Sequence, residues 1–415
     1  MVSSGGRPEP GAVLDVRNRR LIYATAFLRA TATGMLGVEL GIYLVTVGLS
    51  IEHAGFVIGA GLAGAAVAAL AATLTADRRG RRRTLVEVAL IGVAGATTAA
   101  VASDAWLLGG AAFVGMLNGM GRDRGAGLIV EQAMLSAATA DRTRTRALAW
   151  YNVLQDAGHA LGALLAGIPA VLEQGWGIER LAGHRATIAL YAVSLLLTAP
   201  LYTRLSPSVE AVPAATPLRV SPGSRRLLVR ISALFALDSL AGGFLTTALL
   251  SFFFFERFGV GQAGVAALFL GARVLNALSH LGAAWLARRI GLVNTMVFTH
   301  IPSSLLLVTV AFAPTFEVAA ALFLIREGLV EMDVPTRQSY VLAVVRPEER
   351  MVASGMTNLV RLAAWAFAPF LAGLLMSRVA LMTPLVVGAA LKIGYDIMLY
   401  VSFRSVRPPE EIARP

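Results

Sequence analysis

The sequence predicts an all-α membrane protein of twelve transmembrane helices, arranged as two pseudo-symmetric six-helix bundles. Three observations lead there. The 415 residues are 56 % hydrophobic and 15 % charged, with a mean hydropathy of +0.69, against roughly 45–50 % apolar and about 25 % charged in a soluble chain. Apolar runs of about 20 residues, enough to cross a bilayer, recur between glycine, proline and charged punctuation. Short stretches of the second half also repeat those of the first at a nearly constant offset.

A soluble fold could not bury so much apolar surface, whereas a bilayer accepts helices that are apolar all round. The runs fall at about 20–49, 54–75, 84–102, 106–138, 146–172, 184–204, 227–255, 260–286, 291–312, 317–345, 351–377 and 382–403. The longest of them imply tilt or extension beyond the membrane. A membrane β-barrel would show short alternating segments instead. With no cysteine, disulfides, thiolate metal sites and thiol nucleophiles are excluded. The five histidines (His53, His159, His184, His280, His300) are too far apart for a helical metal pair, so neither metal nor cofactor is expected.

The net charge of +11 is carried almost wholly by arginine, Lys392 being the only lysine. With both termini placed in the cytoplasm, Arg17, Arg19, Arg20, Arg78, Arg79, Arg81 to Arg83, Arg142, Arg144, Arg146, Arg225, Arg226, Arg288 and Arg289 lie inside. Arg180, Arg185, Arg257 and Arg378 lie outside. This is the positive-inside pattern of a multi-pass protein of the cell (inner) membrane, and it accounts for the basic balance without nucleic acid. The first apolar run is too long for a signal-peptide core, so no cleaved leader is expected.

Residues 206–224, SPSVEAVPAATPLRVSPGS, are proline-rich without helical periodicity and read as a cytoplasmic linker between bundles at 1–205 and 225–415. Across it, Gly162 to Gly167 matches Ala368 to Gly373, and the same offset pairs Asn152 with Asn358 and Gln132 with Gln338. Parallel repeats of this kind build transporters that rock one bundle against the other.

After the second run comes Asp77-Arg-Arg-Gly80-Arg81-Arg-Arg83. Such a carboxylate can cap a helix N-terminus while the arginines bridge to acidic helix ends. The stretch resembles the loop signature of the major facilitator superfamily, a glycine, three residues, then Asp-Arg-x-Gly-Arg-Arg, with Thr73 in place of the glycine. Ala287-Arg288-Arg289-Ile290-Gly291 is a degraded second copy. The resemblance implies a secondary active transporter working by alternating access. It further implies that Asp77 caps the helix beginning near Met351 and that Arg81 pairs with Asp141, together forming a cytoplasmic gate. Span five carries Gly158-His-Ala-Leu-Gly162-Ala163-Leu-Leu-Ala166-Gly167, similar to the signature of the drug/proton antiporters, with Ala163 for the proline and Ala166 for a glycine. Close helix packing is the alternative reading of the same small residues.

Charges inside the spans nominate the site. In span four, Asp123 stands between Arg122 and Arg124, and Arg124 and Glu131, seven apart, would share a helical face and pair. In span ten, Arg326, Asp333 and Arg337 form one stripe; Glu327, Glu331 and Gln338 form a neighbouring stripe with two acids and no cation, interrupted near Pro335. Arg361 on span eleven would serve that stripe, or one acid would hold a proton. Glu327 is therefore the first candidate for proton coupling, followed by Glu331, Asp238, Asp123 and Glu39. By the resemblance, spans one, four, seven and ten surround the cavity, which makes Arg29, Glu39 and Asp238 cavity candidates. Asn152, Asp156 and His159 share a face of span five, and Arg361 joins them as a cavity candidate. Arg273 and Asp396 read as packing or interfacial pairs, and His280 and His300 as structural.

No nucleotide-phosphate loop and no catalytic constellation is present, which argues against ATP drive and against an enzyme. The function expected is proton-coupled efflux of a small molecule by a monomer in the lipid bilayer. Proton-coupled import of a small metabolite is the alternative, and a non-transporting integral membrane protein a more distant one.

Overall fold

Where the sequence offers a serine, threonine or aspartate ahead of an apolar run, a helix starts on it. Ser50, Asp104, Thr246 and Thr315 each accept a backbone N–H bond at such a start. The protein is described by a computed structural model covering residues 16–123, 125–137, 141–210, 221–332 and 350–403. Its α-helices are α1 (Val16–Thr46), α2 (Ile51–Arg79), α3 (Arg81–Val101), α4 (Ala105–Gly115), α5 (Ala126–Ala137), α6 (Asp141–Leu165), α7 (Ile168–Trp176) and α8 (Arg180–Thr203). The second half has α9 (Pro222–Gly243), α10 (Thr247–Phe258), α11 (Gln262–Ile290), α12 (Leu292–Ala311), α13 (Phe316–Val330), α14 (Arg350–Arg378) and α15 (Thr383–Phe403). Counting α4 with α5, α6 with α7 and α9 with α10 as single crossings, the chain makes the twelve passes expected.

Because the passes alternate, the loop from Asp77 to Arg83 shares one face, here the arginine face, with the starts of α1 and α9. Glu52 and Arg378 lie on the opposite face. Three apolar clusters hold the molecule together. One, including Met35, Leu40, Tyr43, Phe252, Phe254 and Ala372, draws on both halves toward the opposite face. Two others lie toward the arginine face: Ile22, Leu85, Tyr202 and Val209 within the first half, and Leu228, Phe235, Met296 and Tyr395 within the second. Among the described residues the halves are thus fused at the opposite face and separate at the arginine face. Side chains such as Val67, Trp106, Leu197, Phe298 and Val401 point outward and exposed, as lipid-facing residues do.

The small residues of span five are a packing surface. A Cβ on Gly162 would stand 2.1 Å from the Thr31 carbonyl oxygen, and one on Gly158 would stand 2.6 Å from that of Phe27, so only glycine lets α6 lie this close to α1. The linker begins later than its composition suggests. Pro207 opens a 3₁₀ turn, Pro207–Val209, a position where its missing N–H costs nothing. Val209 is buried, and the Ser206 amide donates to Asn18 Oδ1 at 3.1 Å. Glu210 accepts from the amides of Arg81 (2.5 Å) and Arg82 (3.3 Å), satisfying free donors at the start of α3. Helix α9 then starts at Pro222, ahead of the expected boundary at 225, and residues 211–220 lie outside the described residues.

Candidate functional site

The fourth and seventh passes are not continuous helices. Helix α4 stops at Gly115 and α5 starts at Ala126; α9 stops at Gly243 and α10 starts at Thr247. Asn118 takes over the lost helix bonds in the first break, accepting from the Met120 amide (2.9 Å) and donating to the Arg122 carbonyl (2.7 Å). Gly121, at φ 68°, adopts a left-handed conformation that favours glycine, and its backbone is so near α1 that a Cβ on Gly37 would fall 2.2 Å from its Cα. The two breaks meet. The Ala248 amide donates to the Gly119 carbonyl at 3.0 Å, and Thr247 Oγ1 donates to the Met120 carbonyl at 2.8 Å. Interrupted helices with ends exposed inside the bundle are where secondary transporters build binding sites.

The break overturns the helical spacing argument for span four. Glu131 lies on α5, which starts after Arg124, and Arg124 itself lies outside the described residues. Glu131 pairs with Arg29 of α1 (2.8 Å), whose Nε also donates to Asp123. The hydroxyls of Tyr151 and Tyr202 each donate to Glu131 at 2.7 Å, and that of Thr25 does so at 2.6 Å. The Asp123 amide donates to His159 Nε2 (3.0 Å). Arg29 and Asp123, nominated separately, thus belong to one buried network. Tyr151, Tyr202 and Thr25 went unnominated because nothing in local spacing says that three hydroxyls converge on one carboxylate.

Across the breaks a cavity is lined by Arg122, Arg273, Arg326, Arg361 and Lys392, by Asp238, Glu327 and Glu331, and by Phe269, Phe323, Trp365 and His300 among others. Here the expected stripe of two partnerless acids is corrected. Glu327 pairs with Arg326, its sequence neighbour, and its Oε2 accepts from Asn276 (2.8 Å). Glu331 caps the end of α13, lines the same cavity as Glu327, and pairs with Arg122 (2.7 Å). Among the described residues Arg361 pairs with neither of these acids. Its Nε donates to Ser239 (3.1 Å), it approaches Asp238 at 3.9 Å, and it stacks on Trp365 at 4.7 Å. Asp238 bonds Lys392 at 3.1 Å, and Lys392 also meets His300 Nε2 at 3.1 Å, with Asp396 on the other ring nitrogen at 3.0 Å. Lys392, Asn276 and Arg122 were missed as site residues, and Arg273 lines the cavity where an interfacial pair was expected. The lone lysine of an arginine-rich chain was the available signal for Lys392. Asp333, Arg337 and Gln338 lie outside the described residues.

Toward the opposite face, Glu39 is wholly buried and, among the described residues, pairs with no guanidinium. Its Oε1 bonds His184 Nδ1 at 2.5 Å, and its Oε2 accepts from Gln262 Nε2. Gln262 opens α11, in the other half, and also donates to the Ala166 carbonyl (3.0 Å), so the trio spans the seam. Nearby, Arg378 closes on Glu52 at 2.6 Å.

On the arginine face, Asp77 pairs with Arg81 one turn on (2.8 Å) and is more than half exposed. The cap of α3 is supplied by Glu210, and no contact of Asp77 with the start of α14 is formed among the described residues. The Asp141 side chain lies outside the described residues, so its pairing with Arg81 does too. Asn152 is exposed, and Asp156 half-buried on the same helix.

A twelve-pass helical chain in two halves, with interrupted helices meeting at a polar cavity, is the architecture of a membrane transporter. The chain matches the Major Facilitator Superfamily over residues 22–369, and it belongs to that family. It is 23 % identical to an uncharacterized membrane protein of Saccharomyces cerevisiae, over 94 % of this chain and 95 % of that one. Its fold is similar to that of the nucleoside transporter NupG (TM-score 0.72, 14 % identity, covering 93 % of this chain and 99 % of that one). It also resembles a D-xylose-proton symporter (TM-score 0.67, 12 % identity, 92 % and 97 % covered).

Proposed function

We propose that this transporter couples proton movement to the passage of a small molecule by alternating access, with export as its direction and the arginine face in the cytoplasm. The observation that carries the coupling is the Glu39–His184 pair. The other acids nominated for coupling, Asp123, Asp238, Glu327 and Glu331, each have an arginine or the lysine beside them. A fixed cation favours the ionised carboxylate. Glu39 is held by an imidazole, itself titratable, so the pair can exchange protons as a unit. Gln262 ties that pair to the other half. Protonation of Glu39 weakens it as the acceptor of Gln262 and loosens the seam; loss of the proton restores it. Glu327 gives way to Glu39 as the first coupling candidate.

Export follows the resemblance of span five to drug/proton antiporters. Symport is the second reading, favoured by the likeness of the fold to a D-xylose-proton symporter. A broad compound panel in a host stripped of its own efflux pumps identifies the cargo and the sign of flux against the proton gradient. With that cargo in proteoliposomes containing a pH-sensitive dye, Glu39→Gln should abolish proton-driven accumulation while leaving exchange intact. Wild-type proton-coupled flux in the variant would move coupling to another acid.

A further inference from the structure

Five cationic side chains line the central cavity against three carboxylates. Three of the cations are accounted for singly: Arg122 by Glu331, Arg326 by Glu327 and Lys392 by Asp238. Arg361 shares Asp238 at 3.9 Å. Asp396, behind Lys392, is taken up by His300. That leaves Arg273. Its Nη2 donates to the Thr247 hydroxyl at 3.1 Å, its Nε is buried with no partner, and no carboxylate pairs with it among the described residues. The position is particular. Thr247 is the first residue of α10, where the positive end of the helix dipole adds to the guanidinium charge. A Cβ on Gly121 would fall 2.9 Å from Arg273 Nη2, so the guanidinium rests on both chain breaks at once.

Glu327, Glu331 and Asp156 act on Arg273 through the field across the cavity, where Arg122 opposes them, but among the described residues none of the three is bonded to it. A half-buried guanidinium with an unpartnered Nε at a helix start favours an anion that can bond it directly. We infer that the cavity binds a small organic anion, a carboxylate or phosphate monoester, whose charged group seats on Arg273 and whose body lies against Phe269, Phe323 and Trp365. The inference rests on the reading of this cavity as the substrate site. Guanidinium suits both anions because its planar fork donates two parallel bonds to either.

The test uses purified full-length protein and four probes of one shape: benzoate, phenyl phosphate, benzyl alcohol and benzylammonium. Benzoate or phenyl phosphate should raise the unfolding midpoint of the wild type, while benzyl alcohol and benzylammonium leave it in place; the larger of the two anion responses names the headgroup. Arg273→Gln should require about tenfold more anion or worse for the same rise, the scale of a lost hydrogen bond to a charged group. Arg273→Lys should fall between. Equal responses to all four probes, no response of the wild type to either anion, or an undiminished response in Arg273→Gln would each overturn the anion site. The charge preference of the wild type alone keeps the test decisive should Arg273→Gln fail to fold. Counterflow of the bound anion in proteoliposomes examines transport separately. Binding without counterflow removes the transporter reading and leaves the anion site, and counterflow of a neutral solute does the reverse.

Discussion

The two halves hold their buried charges in opposite ways. In the first, one cation, Arg29, is enclosed by two carboxylates and two tyrosine hydroxyls. In the second, Arg273, Arg326, Arg361 and Lys392 stand against three acids at a cavity that Arg122 of the first half also lines, and among the described residues Arg273 pairs with no carboxylate. A closed network with every donor answered fixes geometry, whereas a site with a charge to spare leaves work for a ligand. The difference assigns scaffold to the first cluster and recognition to the second.

Substitution at Arg29 should have the largest effect, because it strands two carboxylates with only hydroxyl and amide donors. Arg29→Met is expected to lower stability by about 3–5 kcal/mol, read as a drop in unfolding temperature in detergent and in yield. Adding Glu131→Gln should recover part of the loss. An unaffected Arg29→Met protein would erase the contrast between the halves.

A smaller effect is expected from Lys392→Met, since Arg361 already stands 3.9 Å from Asp238 and can take over the pairing. A cost of roughly 1–3 kcal/mol fits one weakened partner of a buried acid. A loss as large as that at Arg29 would show that Lys392 belongs to a scaffold network of its own.

Asp77→Asn should change stability least, within about 1 kcal/mol, because the Asp77 carboxylate is more than half exposed. Transport should nevertheless slow, if the loop meets the other half in the state opposite to this one. Unaltered transport at normal surface level would reduce the Asp77 loop to a topology signal.

The sequence by itself determined the number of passes, the arginine asymmetry and the family resemblance. Each depends on composition or local order, and apolar length, charge bias and the loop around Asp77 are visible without knowing what any residue touches. The nominated residues Arg29, Asp123, Asp238, Glu39, Glu327 and Glu331 were legible for the same reason, since a charge inside an apolar run is conspicuous wherever it points. Their partners were not. Helical periodicity put Glu327 and Glu331 on one stripe, and both line one cavity, but it could not name the cations that Arg326 and Arg122 supply. It put Arg124 and Glu131 on one face, but α4 ends at Gly115 and α5 starts only at Ala126. Periodicity carries no information across such a break. Lys392, His184 and Gln262 reach their carboxylates over sequence separations of 154, 145 and 223 residues. Those contacts exist only because twelve passes pack in one particular order, and that packing decided which buried charges were answered and which, at Arg273, was left facing the cavity.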